Sequence, residues 1–563
     1  MKIFTISLFL FLSTFYLHAQ SFEWGGTYGG SGEDVLRDMH TDGNGNTYST
    51  GYFTDTADFD ISASEANLTS NGFFDVYILK TNNDGGFEWA VSMGDEFFDY
   101  GVGITTDADS NVYVTGYYDG TVDFDPGAGV ANLTSLGGGD IFILKLNAAG
   151  EFLWAKSVGG TGYEESTAIV VSSNGTVTVL GYFYEPADFD PSANEYILNS
   201  EGASDTFLVN LDENGGFISA QRYGGPDLDL ALDMKINSAN DIFIAGYFEG
   251  TTDFDPSGSG EFNLTSSTEG FSSYMLHLNS AGDLVFAGAT HDGNAEARGI
   301  AVDANDNVYL TGHFNGTVNF SPDAANTDYI FTSDLAYNAF TMKINPLGIL
   351  EWATPIESDD TVFGFDIAVD ADGNVFTTGY FAATADFDPD QSTTFNLTKQ
   401  SANATDAYIC ALDTDGNFVS AFTFGGADFL DTHKIGADAQ GYVYLSGHFE
   451  KTVDINPLEG ELMEVTSIDF RDNYLIKIAA TTLGVPTNNY AAVTVYPNPV
   501  GSVVYLAGSE NLLGKSYNLF DVQGRSILTG SIDSSKQISL EGIQSGIYYL
   551  NIVGSDTLKL IKN

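Results

Sequence analysis

The sequence predicts an all-β protein: a closed ring of seven four-stranded sheets, followed by a small β-sandwich. Three observations predict it. A glycine followed by two ring-bearing residues recurs seven times at nearly constant spacing. Each repeat holds four short apolar runs separated by turn residues. The first run after the N-terminal leader has the pattern of the one strand that the last repeat lacks.

Composition agrees with this reading. The 563 residues include 63 Gly, 30 Tyr and 42 Phe, with 43% hydrophobic and 13% aromatic residues. That is a mixture for short strands and tight turns, far too apolar for a solvated acidic tail. The length exceeds what one hydrophobic core organises. A net charge of −58, from 19 Lys+Arg against 77 Asp+Glu, excludes a nucleic-acid partner, because such binding draws on basic side chains that release counterions. Anionic membrane surfaces are disfavoured for the same reason.

The chain opens with Met1-Lys2, an apolar run from Ile3 to Leu17, and Leu17-His18-Ala19. A charged start, a run too short to span a bilayer and a small residue at the end read as a signal peptide over residues 1–19. No other stretch approaches about 18 apolar residues, so no transmembrane segment is expected.

The repeat markers are Gly51-Tyr52-Phe53, Gly116-Tyr117-Tyr118, Gly181-Tyr182-Phe183, Gly246-Tyr247-Phe248, Gly312-His313-Phe314, Gly379-Tyr380-Phe381 and Gly447-His448-Phe449. Successive glycines lie 65, 65, 65, 66, 67 and 68 residues apart. In the second unit the four runs are Gly101 to Thr106, Asn111 to Tyr118, Asp140 to Asn147 and Phe152 to Gly159. The turns Asp107-Ala108-Asp109-Ser110 and Ala148-Ala149-Gly150 are short enough to force antiparallel hairpins. A repeated four-stranded meander of this length is the pattern of a β-propeller.

The seventh unit has runs around 431–438, 441–449 and 472–478, and then no fourth. Ser21-Phe22-Glu23-Trp24-Gly25-Gly26 matches the fourth-strand pattern of Gly86-Phe87-Glu88-Trp89-Ala90 and Glu151-Phe152-Leu153-Trp154-Ala155. The N-terminal strand is therefore expected to complete the last sheet beside 472–478. Closure in this way pairs two edges that an open stack would leave bare. The motif Asp-x-x-Gly-Asn-x-Tyr-x-x-Gly, seen with Phe for Tyr at Asp370-Ala371-Asp372-Gly373-Asn374-Val375-Phe376-Thr377-Thr378-Gly379, resembles the SBBP-like beta-propeller repeat of bacterial extracellular proteins. The resemblance covers about residues 22–479 and implies the fold, with the propeller domain taken as 20–479.

A linker over 480–493 leads to a different segment, 494–563. Val493-Thr494-Val495-Tyr496-Pro497-Asn498-Pro499, Tyr517-Asn518-Leu519-Phe520-Asp521-Val522-Gln523-Gly524-Arg525 and Ser545-Gly546-Ile547-Tyr548-Tyr549-Leu550-Asn551-Ile552 alternate apolar residues with turns, which predicts a small antiparallel β-sandwich. In this order they resemble the type A C-terminal sorting domain of the type IX secretion system of Bacteroidetes. The resemblance implies handling by that machinery, export across the outer membrane of a Gram-negative cell, and a place in the medium or on the cell surface.

In a meander, the loop from strand two to strand three and the connection to the next unit lie on one face. These are the long loops here, so a ligand is expected on that face, near the central channel. The two-to-three loops repeat an acidic pair: Asp58 and Asp60, Asp123 and Asp125, Asp188 and Asp190, Asp253 and Asp255, and Asp386 and Asp388, each around a Phe. Asn319-Phe320-Ser321 and Asp454-Ile455-Asn456 are altered copies. Alternate residues of extended backbone share a side, so each pair presents two carboxylates while the Phe points inward. Two readings stand: the aspartates shape the turn by binding backbone amides, or with loop carbonyls they hold calcium through hard oxygen ligands. The Asp-x-Asp-Gly-Asn segments at Asp370 and Asp413 lack the distant glutamate of a calcium-binding EF-hand loop and read as hairpin turns.

The repeated Asn-Leu-Thr at Asn67, Asn132, Asn263 and Asn396 reads as repeat periodicity, not as glycosylation signals. The single cysteine, Cys410, sits in the apolar run Ala407 to Leu412 and reads as a buried strand residue that forms no internal disulfide. His313 and His448 replace the marker tyrosine, and no His-x-x-x-His spacing, Gly-x-Ser-x-Gly elbow or phosphate loop occurs. The junction Ala289 to Arg298 before unit five is the main irregularity. These features favour a noncatalytic surface or secreted binding or adhesion protein with a glycan or protein partner. An extracellular polysaccharide hydrolase or lyase using acidic residues of the long-loop face is the alternative.

Overall fold

A computed structural model describes residues 21–479 and 494–562, apart from 63, 256, 258–259, 269, 391, 401–404, 427–428, 459–461, 497–499, 508–514, 522–524, 534 and 553–557. The signal segment 1–19 and the linker 480–493 lie outside the described residues. The chain divides into two compact units, Met1–Leu483 and Gly484–Asn563.

The first unit holds seven four-stranded antiparallel sheets. Blade one runs Val35–Thr41, Thr47–Phe53, Asp75–Thr81 and Phe87–Met93, each strand bonded to the next. Blades two to six repeat that order from Tyr100, Glu164, Asp229, Asn294 and Val362. Blade seven takes Lys434–Ala437, Tyr442–Asp454 and Glu464–Ala479 from the end of the ring and Phe22–Gly30 from its beginning. Phe22 faces Ile478, Trp24 faces Lys477 and Thr27 faces Tyr474. The first strand of each blade touches the first strand of the next, including Val35–Thr41 against Lys434–Ala437, so the ring closes.

Burial follows the blade order. Second strands such as Thr47–Phe53 and third strands such as Asp140–Leu146 are buried along their whole length, because sheets cover both of their sides. Fourth strands such as Phe87–Met93 form the rim and are partly exposed. In blades one to six the first strand carries a bulge just before the channel, as between Leu36 and Asp38 or Ala297 and Gly299. The bulge drives a backbone carbonyl towards the marker glycine: a Cβ at Gly51 would run into the carbonyl of Val35, and one at Gly447 into that of Asp431. That close approach accounts for the seven-fold glycine.

Blades are joined by a repeated clamp. Trp89 Nε1 and Lys80 Nζ of blade one both donate to the Ala148 carbonyl in the three-to-four turn of blade two, at 3.2 and 3.5 Å. Trp154 and Lys145 hold Glu213 O in the same way, and Trp352 and Lys343 hold Thr414 O. Across the closure, Trp24 and Lys477 hold Asn83 O. On the channel side, Asp38 Oδ2 accepts from Ile104 N of the next blade at 2.8 Å, Asp233 Oδ2 from Ile300 N at 3.1 Å and Asp366 Oδ2 from Ile435 N at 3.0 Å.

The second unit has a three-stranded sheet, Thr494–Tyr496, Val503–Ala507 and Gln537–Ser539, and a four-stranded sheet, Ser526–Ser531, Ser516–Asp521, Gly546–Ile552 and Leu558–Lys562. Val504, Leu519, Ile538, Leu550 and Leu560 form part of its own core. No described helix is long and apolar enough to cross a membrane.

Candidate functional site

The first strands line a central channel of about 440 Å³. Its charged groups are paired: Lys434 Nζ lies 3.1 Å from Asp38 and Lys235 Nζ 2.9 Å from Asp233, while Asp366 closes the set. At the long-loop mouth, directly before the channel-lining segments, each marker residue pairs with a first-strand residue 17 positions upstream: Val35 with Tyr52, Tyr100 with Tyr117, Glu165 with Tyr182, Leu230 with Tyr247, Glu296 with His313, and Phe363 with Tyr380. In blade seven Asp431 N bonds to His448 O and gives the same pair.

These pairs assemble two arcs of aromatic rings. In blades one to three, Tyr52 and Tyr100 meet edge to face at 6.4 Å, Tyr100 and Tyr117 stack at 5.0 Å, and Tyr163 joins Tyr117 at 5.8 Å. Arg37, the bulged residue of blade one, lies over Tyr52 and Tyr100 at 5.8 and 5.5 Å. Glu165 is the hub of this arc: it accepts from Tyr163 OH and Tyr182 OH at 2.6 Å each. Burial, reinforced by the Glu165 charge, pushes both phenols above their usual range, so both stay neutral donors. Phe73, Phe98, Tyr163 and Tyr184 remain exposed beside it. In blades five to seven, His313 packs on Phe363 at 4.0 Å, Phe363 on Tyr380 at 5.2 Å and Phe365 on His433 at 4.8 Å.

The ten paired aspartates are elsewhere. Each two-to-three loop is a small hairpin, and in most blades it reaches the fourth strand of the preceding blade: Asp58 faces Gly29, Asp188 faces Gly159 and Asp386 faces Glu357. The acidic pairs therefore sit at the rim, one pair in each of five blades, away from the channel. Asp58 Oδ1 accepts from the amides of Asp60 and Ala66, and Asp60 Oδ1 from that of Ser62. The first aspartates of the other pairs, Asp123, Asp188, Asp253 and Asp386, bridge two amides in the same way. Asp125, Asp190, Asp255 and Asp388 each hold the amide two residues on. The intervening Phe59, Phe124, Phe189, Phe254 and Phe387 are buried. The Asn-Leu-Thr segments form the returning strands of these hairpins, where Thr69 bonds Thr56 and Thr134 bonds Thr121, both at 2.9 Å.

The Asp-x-Asp-Gly-Asn segments are hairpin turns: Asp370 Oδ1 accepts from the amides of Asp372 and Asn374, and Gly373 has φ +85. Cys410 is buried in blade six, and burial pushes its thiol up to about 12. The carboxylates at the mouth were missed in the sequence. Their signal is an acid 17 residues before a marker Tyr or His, as Glu165, Glu296 and Asp431 all are.

The fold and mouth define an all-β propeller with an aromatic, carboxylate-bearing long-loop face. Residues 494–563 match the family model described as the secretion system C-terminal sorting domain. That domain indicates secretion to the cell surface or the extracellular space by the type IX route of Bacteroidetes. The chain is 24% identical over 449 residues to an uncharacterized WD repeat-containing protein, L264, of Acanthamoeba polyphaga mimivirus; the match covers 66% of this chain and 32% of that protein. It is 28% identical over 164 residues to the regulatory protein FlaEY of Caulobacter vibrioides, covering 28% of this chain and 17% of that protein. The chain thus spans a third or less of these relatives. Among solved structures it is similar to PorZ, a surface component of the type IX secretion system of Porphyromonas gingivalis, with TM-score 0.21, 10% identity and 94% and 81% of the two chains covered. It is also similar to the extracellular domain of the putative one component system BT4673 of B. thetaiotaomicron, with TM-score 0.15, 10% identity and 96% and 99% covered.

Proposed function

We propose that the long-loop mouth of the propeller is a noncatalytic binding surface for an extracellular glycan, displayed or released after type IX export. The observation that carries this reading is Glu165, which accepts from Tyr163 and Tyr182 within an arc of contacting tyrosines. Sugar rings offer C–H faces that settle on the electron-rich face of an aromatic ring, and hydroxyls that pair with a carboxylate and phenols. The arc supplies both in one place. The repeat motif supports reading the ring as an SBBP-like extracellular propeller.

The test is retention of the mature chain on a panel of immobilised polysaccharides, with product release followed in parallel. Tyr163→Ala and Glu165→Gln should each weaken retention about tenfold or more, the order of one lost charged or aromatic contact. Retention unchanged in both variants removes the site. Release of shortened sugar would make the protein an enzyme.

A further inference from the structure

We propose that Asp431, His433 and His448 of blade seven bind one divalent transition-metal ion of the zinc class at the mouth of the ring. A carboxylate oxygen of Asp431 and one nitrogen from each histidine lie within 4.8 Å of one another. Two imidazoles and a carboxylate, with further positions open, form a donor set that suits zinc and its neighbours.

Two ligand atoms stand without partners. Asp431 is 3% exposed and His448 4% exposed, yet Asp431 Oδ1 and His448 Nδ1 make no hydrogen bond. They approach to 3.5 Å without bonding geometry. Orphaned polar atoms at this depth are costly unless something between them is bound. His433 completes the set from the solvent side. Its Nε2 is 3.0 Å from Asp431 Oδ2, and its ring is held between Phe365 and His448 at 4.8 Å each. Its side chain is 32% exposed, which leaves a way in for an ion.

Blade five is an internal control. Glu296 and His313 occupy the positions of Asp431 and His448, but Arg298 stands at the bulge where blade seven has His433. Arg298 Nη2 binds Glu296 at 3.1 Å, so that corner is neutralised by a fixed cation. In blade seven the fixed cation is replaced by a ligand. The flanking charges are Arg471, which is engaged with Glu450 at 3.0 Å, and Arg37. The inference does not depend on the glycan reading.

The experiment titrates the untagged mature chain with Zn²⁺ by calorimetry and with Co²⁺ by visible absorption. One saturable equivalent per chain is expected, and both His433→Arg and His448→Tyr should lose it, whereas His313→Tyr in blade five should keep it. The two blade-seven substitutions install residues that sister blades carry at the same positions, so folding is checked by their thermal midpoints without metal. Absence of a saturable equivalent overturns the proposal. Its survival in both blade-seven variants, or its loss in His313→Tyr, overturns it as well.

Discussion

Trp24 Nε1 donates to the carbonyl of Asn83 at 2.9 Å, linking the first strand of the chain to the three-to-four turn of blade one. Lys477 Nζ, from the last strand of the ring, donates to the same oxygen at 3.2 Å. The two donors are neighbours only because Phe22–Gly30 lies beside Glu464–Ala479. Trp24 also meets Tyr444 edge to face at 6.3 Å. This one carbonyl therefore reports whether the ring is shut.

Trp24→Phe should lower stability by about 1 kcal/mol, the net worth of one hydrogen bond, and Trp24→Ala by about 3 kcal/mol, because an indole in contact with Tyr444 is removed too. Removing residues 21–30 should do more, exposing the edge of Glu464–Ala479 and turning monomer into aggregate. Thermal unfolding and size-exclusion chromatography measure both effects. A truncated chain that remains monomeric with an unchanged midpoint would show that closure contributes nothing.

Turn shaping by the rim aspartates predicts tolerance of a neutral acceptor. Blade five already makes the substitution: Asn319 Oδ1 accepts from Ser321 N at 3.1 Å. The double variant Asp253→Asn with Asp255→Asn should match the parent midpoint within about 0.5 kcal/mol in EDTA, while Asp253→Ala should cost about 1 kcal/mol or more by freeing two amides. Calcium should act on parent and Asn variant alike. A stabilisation by Ca²⁺, not Mg²⁺, that only the parent shows would make these loops metal sites.

Acid should stabilise the folded ring. At the seam between blades seven and one, Asp34 and Asp472 are buried together; burial lifts Asp34 to about 8 and Asp472 to about 7, and the Asp472 charge adds to the rise at Asp34. Asp99 and Asp229 lie about as high for the same reason, burial. The folded state holds these protons where an unfolded aspartate, at 3.8, has lost them. Stability therefore falls as pH rises from about 4 towards 8, by roughly 1–3 kcal/mol per group after relaxation. Asp34→Asn should flatten that slope and stabilise the protein at pH 8. Chemical denaturation at pH 5.5, 7 and 8.5 tests it, and a parent most stable at the alkaline end would refute it.

Cys410 should resist alkylation in the native protein and react only on unfolding. It is 2% exposed, and its thiol is held far from ionisation at neutral pH. Labelling kinetics in the presence and absence of denaturant measure this, and fast native labelling would contradict the buried placement.

Much of the ring was legible because its signals are local. Turns such as Asp370 to Asn374 and fourth strands such as Phe87–Met93 announce themselves in a few residues, and the lone Phe22 to Gly26 pattern sufficed to assign the closing strand. The mouth was not legible in the same way. Asp431 and His448 meet through strand register, and His433 reaches them only because one residue falls before the pairing resumes at Lys434. A bulge is invisible to periodicity, and a side chain moved by one residue changes faces. The rim aspartates were conspicuous for the opposite reason: a pattern repeated in five blades stands out, whereas a unique site is written once.

The pairing of Phe22 with Ile478 also orders events in time. The strand made first cannot find its mate until nearly the whole ring has been synthesised. A polypeptide interrupted before that mate would lack the edge that seals the ring, so the last sheet can form only after the strands of the other six have been made.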